Sequence, residues 1–110
     1  MLRSVLRALD EVAIRVSTNI RSRGRIYYLK SGALILFNPT RHETVADMAD
    51  TLVHELLHWV RRHKYRESTI SVKAGDLLDK SPVLQRRVYR KLAEAQMYFN
   101  GGGPNPVAGE

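Results

Sequence analysis

Cysteine is absent from the 110 residues of the sequence. This absence excludes disulfide bonds and thiolate metal ligands, so any bound metal ion must be held by histidine, carboxylate or water. A reducing, cytoplasmic location is the expectation that agrees with it.

Long hydrophobic runs are also absent, since no stretch approaches the roughly 20 apolar residues of a membrane-spanning helix. Asp10 and Glu11 interrupt the only candidate signal segment, so we expect no membrane partner. With 44% hydrophobic residues, the chain should form one compact domain over residues 1–99 with a modest core. Residues 100–110 are rich in glycine and proline, which predicts a flexible C-terminal tail.

Acidic residues are outnumbered, with 11 Asp and Glu against 18 Lys and Arg and a net charge of +7. This balance makes nucleic acid or another acidic surface a possible partner. The basic clusters lack the interleaved aromatic residues of a single-strand binder, however, and solvated faces are the preferred explanation. The sequence therefore supports a nucleic-acid partner only weakly.

One stretch has residue types and spacing that specify a reaction, namely His54-Glu55-Leu56-Leu57-His58. On a helix, His54 and His58 project one turn apart from the same face, where both imidazoles can bind one ion. Glu55 lies beside them and can take a proton from a water that attacks a carbonyl. The alternative is two partly buried histidines and a surface glutamate. We favour a Zn²⁺ site with Glu55 as the catalytic residue.

The surrounding pattern predicts a long amphipathic helix for this motif. Thr40 and Glu43 have capping-box spacing, which predicts a helix from about Arg41 to His63 or Lys64. Apolar residues recur along it at helical spacing, at Val45, Met48, Ala49, Leu52, Val53, Leu56, Leu57 and Val60.

The segments around the motif helix predict a small α+β fold. A short N-terminal helix should end near Asp10, followed by a three-stranded antiparallel or mixed sheet. The predicted strands are Val12–Ser17, Arg25–Lys30 and Ala33–Phe37. After the motif helix we expect a loop at 66–69, a short helix or irregular segment at 70–79, and a helix from Pro82 to Phe99 with Ser81 as its N-cap.

The third strand leads directly into the motif helix, so it is the candidate substrate-binding strand. If it lies at the sheet edge beside the metal, an extended peptide can pair with it by strand addition. Its residues are Ala33, Leu34, Ile35, Leu36 and Phe37.

Three residues compete as the third metal ligand. His63 is turned about 140° from His58 on a continuing helix. Glu67 lies just past the helix, where the loop would have to fold back sharply. Glu94 lies on the last helix, which is able to pack across the motif helix. We favour Glu94 and take Glu67 as the next choice. Glu94 lies about 120° from the centre of its helix's apolar stripe, where an ordinary surface glutamate paired with Arg90 or Lys91 would also fit.

The motif and the order of elements resemble a known group. His54-Glu55-Leu56-Leu57-His58 is similar to the motif of zincin metallopeptidases. The order of a helix, three strands, the motif helix and a helix containing Glu94 resembles the gluzincins in their shortest form, the minigluzincins, such as proabylysin and projannalysin. The resemblance implies that His54, His58 and Glu94 bind zinc, that Glu55 is general base and acid, and that peptide bonds are hydrolysed. It also implies a latent form, or zymogen, in which the chain's own C-terminal tail obstructs the cleft.

Two further interpretations remain open. One is a DNA-associated protease of the SprT-like type, in which the positive charge of the chain would serve to bind DNA. The other is a non-catalytic, metal-stabilised module that binds nucleic acid or protein and keeps the motif helix as a scaffold.

Overall fold

Four helices and a three-stranded mixed sheet make up the fold, which confirms the predicted α+β class. A computed structural model describes residues 2–61 and 67–100. The elements are α1 (Leu2–Glu11), β1 (Ala13–Val16), β2 (Gly24–Leu29), β3 (Gly32–Phe37), a 3₁₀ turn (Pro39–Arg41), α2 (Val45–Val60), α3 (Glu67–Lys80) and α4 (Pro82–Phe99). In the described part of the chain, no helix has the length and apolar character needed to cross a membrane.

The sheet has the strand order β1-β3-β2. β1 runs parallel to β3, and β2 forms an antiparallel hairpin with β3 through a turn at Lys30 and Ser31. Gly32, the first residue of β3, has a φ of 150° that suits glycine. The condition for Ala33–Phe37 to pair with a substrate, a position at the sheet edge, is not met, because β3 is hydrogen-bonded to a strand on both sides. Ala33, Ile35 and Phe37 on one face of β3 are buried in the core, whereas Leu34 on the other face is half-buried.

One face of the sheet, the inner face, packs against the helices and supplies part of the core. Its residues alternate along each strand with those of the opposite, outer face. The inner-face members of the core are Ile14, Val16, Ala33, Ile35 and Phe37. From the helical side, α2 contributes the largest share, with Ala49, Leu52, Val53, Leu56 and Leu57.

The N-terminus of α2 differs from the prediction. Thr44 Oγ1 accepts a hydrogen bond from the Asp47 amide at 3.1 Å, and the Asp47 carboxylate accepts one from the Thr44 amide at 3.3 Å. This capping box replaces the predicted Thr40 and Glu43 pair, which has the same spacing. Thr40 instead donates its amide to the side chain of Asn38 in the 3₁₀ turn. The predicted helix end at 63 or 64 lies outside the described residues.

The segments after α2 are helical throughout the described part. α3 is one continuous helix from Glu67, where the sequence predicted a loop followed by an uncertain segment. α4 matches the prediction, with Ser81 as N-cap and Pro82 at the first position. Of its predicted apolar stripe, the members buried are Leu84, Val88, Leu92 and Ala95, whereas Phe99 is exposed at the helix end.

Candidate metal and catalytic site

The two histidines of the motif converge on one point. His54 and His58 are both half-buried, and their Nε2 atoms lie 3.1 Å apart with the rings edge to face. Two nitrogens bound to one tetrahedral zinc at about 2.0–2.1 Å would be separated by roughly 3.3–3.4 Å. The observed spacing is close to this value, so the pair fits a single ion without rearrangement of the helix.

Glu55 is one of only three polar residues buried among those described, with 9% of its surface exposed. It belongs to the row of α2 that also contains Thr51 and Trp59 and packs against β2. A methyl group placed on Gly24 would lie 2.6 Å from Thr51 Cγ2 and 3.5 Å from Glu55 Cγ. The missing side chain at Gly24 therefore lets β2 approach α2 at the position of the candidate catalytic carboxylate.

The other end of β2 is fixed by an aromatic contact. Tyr28 stacks on Trp59, with ring centroids 5.9 Å apart and an angle of 24° between the planes. Trp59 follows His58 directly, so β2 runs along α2 from Thr51 to the end of the motif. β2 is hydrogen-bonded to β3 on one side only, so β2 is the edge strand next to the motif helix. β3, the strand expected to bind substrate, is the central strand.

A chain of hydrogen bonds connects the start of α2 to the turn before it. His42 Nδ1 donates to the carbonyl of Asn38 at 2.8 Å, because a carbonyl can only accept. In the neutral ring, His42 Nε2 then accepts from the Thr51 hydroxyl, also at 2.8 Å. His42 thereby holds Thr51 in one orientation, one turn before Glu55.

Asn38 extends this network to the loop between β1 and β2. It is 1% exposed, and its Nδ2 donates to the carbonyl of Ile20 at 2.8 Å and more weakly to that of Thr18 at 3.4 Å. The backbone N–H of Asn38 donates to the backbone carbonyl of Arg23 at 2.9 Å. Asn38 thus fixes the loop that leads into Gly24. The sequence marks Asn38 only as a strand end before proline, and nothing in its spacing indicates the partnership with His42.

Glu94 lies in a different part of the molecule from the histidines. Its side chain is 51% exposed and pairs with Lys91 at 3.9 Å. It lines a small cavity between α4 and β1 together with Arg15 and Tyr98. β1 is the sheet edge opposite β2. The structure therefore brings His54, His58 and Glu55 together but does not bring Glu94 to them.

The other two candidates for the third ligand are placed only in part. Glu67 is the first residue of α3, nine positions after His58, and α3 packs along α2. The side chain of Glu67 and all of His63 lie outside the described part. Among the side chains that are described, no three from His, Cys, Asp or Glu are grouped closely enough to hold one metal ion.

Comparisons with protein-family models, with curated proteins and with solved structures found no match. The features of the molecule that bear on function are therefore the geometry of His54, Glu55 and His58 and their position beside an edge strand.

Proposed function

We propose that the chain is a zinc-dependent metallopeptidase that hydrolyses peptide bonds. The observation that carries the proposal is the 3.1 Å separation of the His54 and His58 Nε2 atoms, with the buried Glu55 beside them on the same helix. A histidine pair kept only for packing has no need to direct two nitrogens at one point.

The residues have separate roles in the proposed reaction. His54 and His58 hold the ion, which when bound supplies Lewis-acid activation of the scissile carbonyl and of the attacking water. Glu55 accepts a proton from that water and passes it to the leaving amine as the peptide bond breaks. The packing of β2 over Glu55 keeps bulk water away from the carboxylate, which strengthens its electrostatic interactions with the reacting groups.

The substrate peptide is proposed to add to β2. The edge of β2 that faces away from β3 has no strand partner within the described sheet, and the strand runs along the motif helix. An extended peptide hydrogen-bonded there would lie beside the histidine pair, with its backbone in a fixed register.

For the third ligand, we propose Glu67 in place of Glu94. Glu94 is ion-paired with Lys91 and lines the cavity between α4 and β1, and among the described side chains it forms no metal-binding group with His54 and His58. Glu67 begins a helix that packs along the motif helix, close in sequence to His58. Two histidines and a glutamate form an established ligand set for catalytic zinc.

The test is hydrolysis of an unfolded protein by the zinc-loaded chain, with Glu55→Gln as the matched variant. Glutamine preserves the size of the side chain but cannot take a proton, so we expect turnover to fall by about 10²–10⁴-fold while zinc stays bound. Equal cleavage by both proteins would overturn the proposed role of Glu55. Absence of cleavage by a zinc-loaded wild-type chain in every form tested would favour a binding module.

A chain ending at Asn100 belongs in the same assay, because the proposed enzyme is a latent one. If the tail obstructs the cleft, the truncated chain should cleave at least about tenfold faster than the full chain, since an attached inhibitor acts at roughly millimolar effective concentration. Equal cleavage rates for the full and the truncated chain would show that the tail does not inhibit, without contradicting the proposed peptidase activity. A cytoplasmic location accompanies the proposal and rests on the absence of cysteine.

A further inference from the structure

The whole sheet is built from a segment without a single acidic residue. Residues 12–42 contain six Lys and Arg and no Asp or Glu. This segment therefore carries a charge of +6 out of the net +7, and the remaining residues are almost neutral. This segment forms β1, β2, β3 and their connections, so its excess positive charge lies along the sheet.

The outer face of the sheet combines this charge with exposed apolar groups. The strand register aligns two rows across it, Arg15-Leu36-Arg25 and Ala13-Leu34-Tyr27. Neither leucine belongs to the core cluster, although Leu36 is only 8% exposed.

Two side chains on the outer face remain open to a ligand. Tyr27 is 38% exposed at the centre of β2, and Leu29 is 52% exposed beside it. Arg25 is exposed next to Tyr27 on the same strand face, and Arg23 is exposed just before β2. Neither arginine forms an ion pair or hydrogen bond through its side chain with any residue in the described part.

We propose that the outer face of the sheet binds single-stranded nucleic acid. A base stacks on Tyr27, and Arg23 and Arg25 neutralise the flanking phosphates, which is the combination of an aromatic platform and a basic track that single strands require. A duplex does not expose the base faces that Tyr27 needs. The inference does not depend on the peptidase, since the outer face is on the opposite side of the sheet from Glu55.

The experiment measures binding of a fluorescent dT20 oligonucleotide to the full chain by anisotropy, at several salt concentrations. Arg23→Gln/Arg25→Gln should weaken binding about tenfold and lower the slope of log K against log salt by about 1.4, because each neutralised phosphate of a single strand contributes about 0.7 to that slope. The matched control is Arg3→Gln/Arg7→Gln, which removes the same charge from the exposed face of α1 and should change affinity by less than about twofold. An equal weakening of binding in the two double variants would overturn the proposal, because net charge alone would then explain binding.

A second variant pair tests the stacking platform. Tyr27→Leu should weaken dT20 binding by about 5–150-fold, as base stacking contributes roughly 1–3 kcal/mol, whereas Tyr27→Phe should bind as the wild type does. A duplex of the same length should bind at least about tenfold more weakly than dT20 at the same salt. An unchanged affinity of Tyr27→Leu, or binding of the duplex or of heparin as tight as that of dT20, would overturn the proposal.

Discussion

Gly24 is the residue whose identity most directly controls the candidate site. It lies where β2 passes closest to α2, and the contact it permits is with Thr51 Cγ2. Thr51 is unable to rotate its methyl group away freely, because its hydroxyl is held by His42. A single missing side chain therefore sets how closely the proposed substrate strand approaches Glu55.

Gly24→Ala should destabilise the protein by about 1–3 kcal/mol, because the new Cβ would overlap Thr51 Cγ2 and force β2 or α2 to shift. Adding Thr51→Ser removes the methyl group but keeps the hydroxyl for His42, so the double variant should regain most of the stability of the wild type. Gly75→Ala is the control, since no atom lies within 4 Å of its Cβ position and alanine should stabilise α3 slightly. Urea unfolding compares the three variants with the wild type. A double variant as unstable as Gly24→Ala would show that the overlap with Thr51 is not the cause.

Among the elements, α2 carries the motif and also joins the parts of the fold. It packs against α1, α3, α4, β2 and β3. Its N-terminus is fixed twice, by the Thr44 and Asp47 capping box and by the His42 bond to Thr51 about one turn later. The position of the histidine pair therefore follows from contacts made along the whole helix.

Thr44→Ala should lower the free energy of unfolding by about 1 kcal/mol, because the Asp47 amide loses its acceptor. Thr44→Ser keeps the hydroxyl and should cost much less. Circular dichroism during thermal unfolding compares the two variants. If alanine and serine were equally stable at this position, the cap would lie elsewhere, as the alternative pair Thr40 and Glu43 had suggested.

For the molecule as a whole, the proposed histidine ligands lie on the most central helix of a small core. Binding of zinc to the folded state alone stabilises it by about 2.7 kcal/mol when free zinc is about 100 times the dissociation constant. In a domain of this size, that corresponds to a rise in Tm of roughly 10–20 °C.

Zinc should therefore raise Tm, and removal by a chelator should reverse the rise. Glu67→Gln should weaken zinc binding at least about tenfold and so remove about half of the shift or more. Glu94→Gln should leave both unchanged, because Glu94 is paired with Lys91 away from the histidines. Tm without zinc is the control for folding of each variant. If Glu94→Gln lost the zinc-induced rise in Tm and Glu67→Gln kept it, Glu94 would be the ligand and Glu67 would be rejected.

Much of the fold is predictable from local pattern. α1, α4, the three strands and the existence of the motif helix follow from hydrophobic periodicity and from Ser81-Pro82 as a start signal. The cap of α2 was not predictable, because Thr40-Glu43 and Thr44-Asp47 have equivalent spacing. The tertiary contacts of Asn38 and His42 decide between them by holding residues 38–42 in a 3₁₀ turn.

The pairing of His54 and His58 follows from the sequence alone, since a helix places residues four apart on one face whatever surrounds it, and Glu55 follows His54 directly in the chain. Which strand lies beside that triplet, and which glutamate lies away from it, depends instead on the folded chain. Strand order is set by pairing between distant segments, so alternation along β3 was unable to show that it is central. The position of Glu94 depends on how α4 packs against β1, which helical spacing within α4 leaves undetermined.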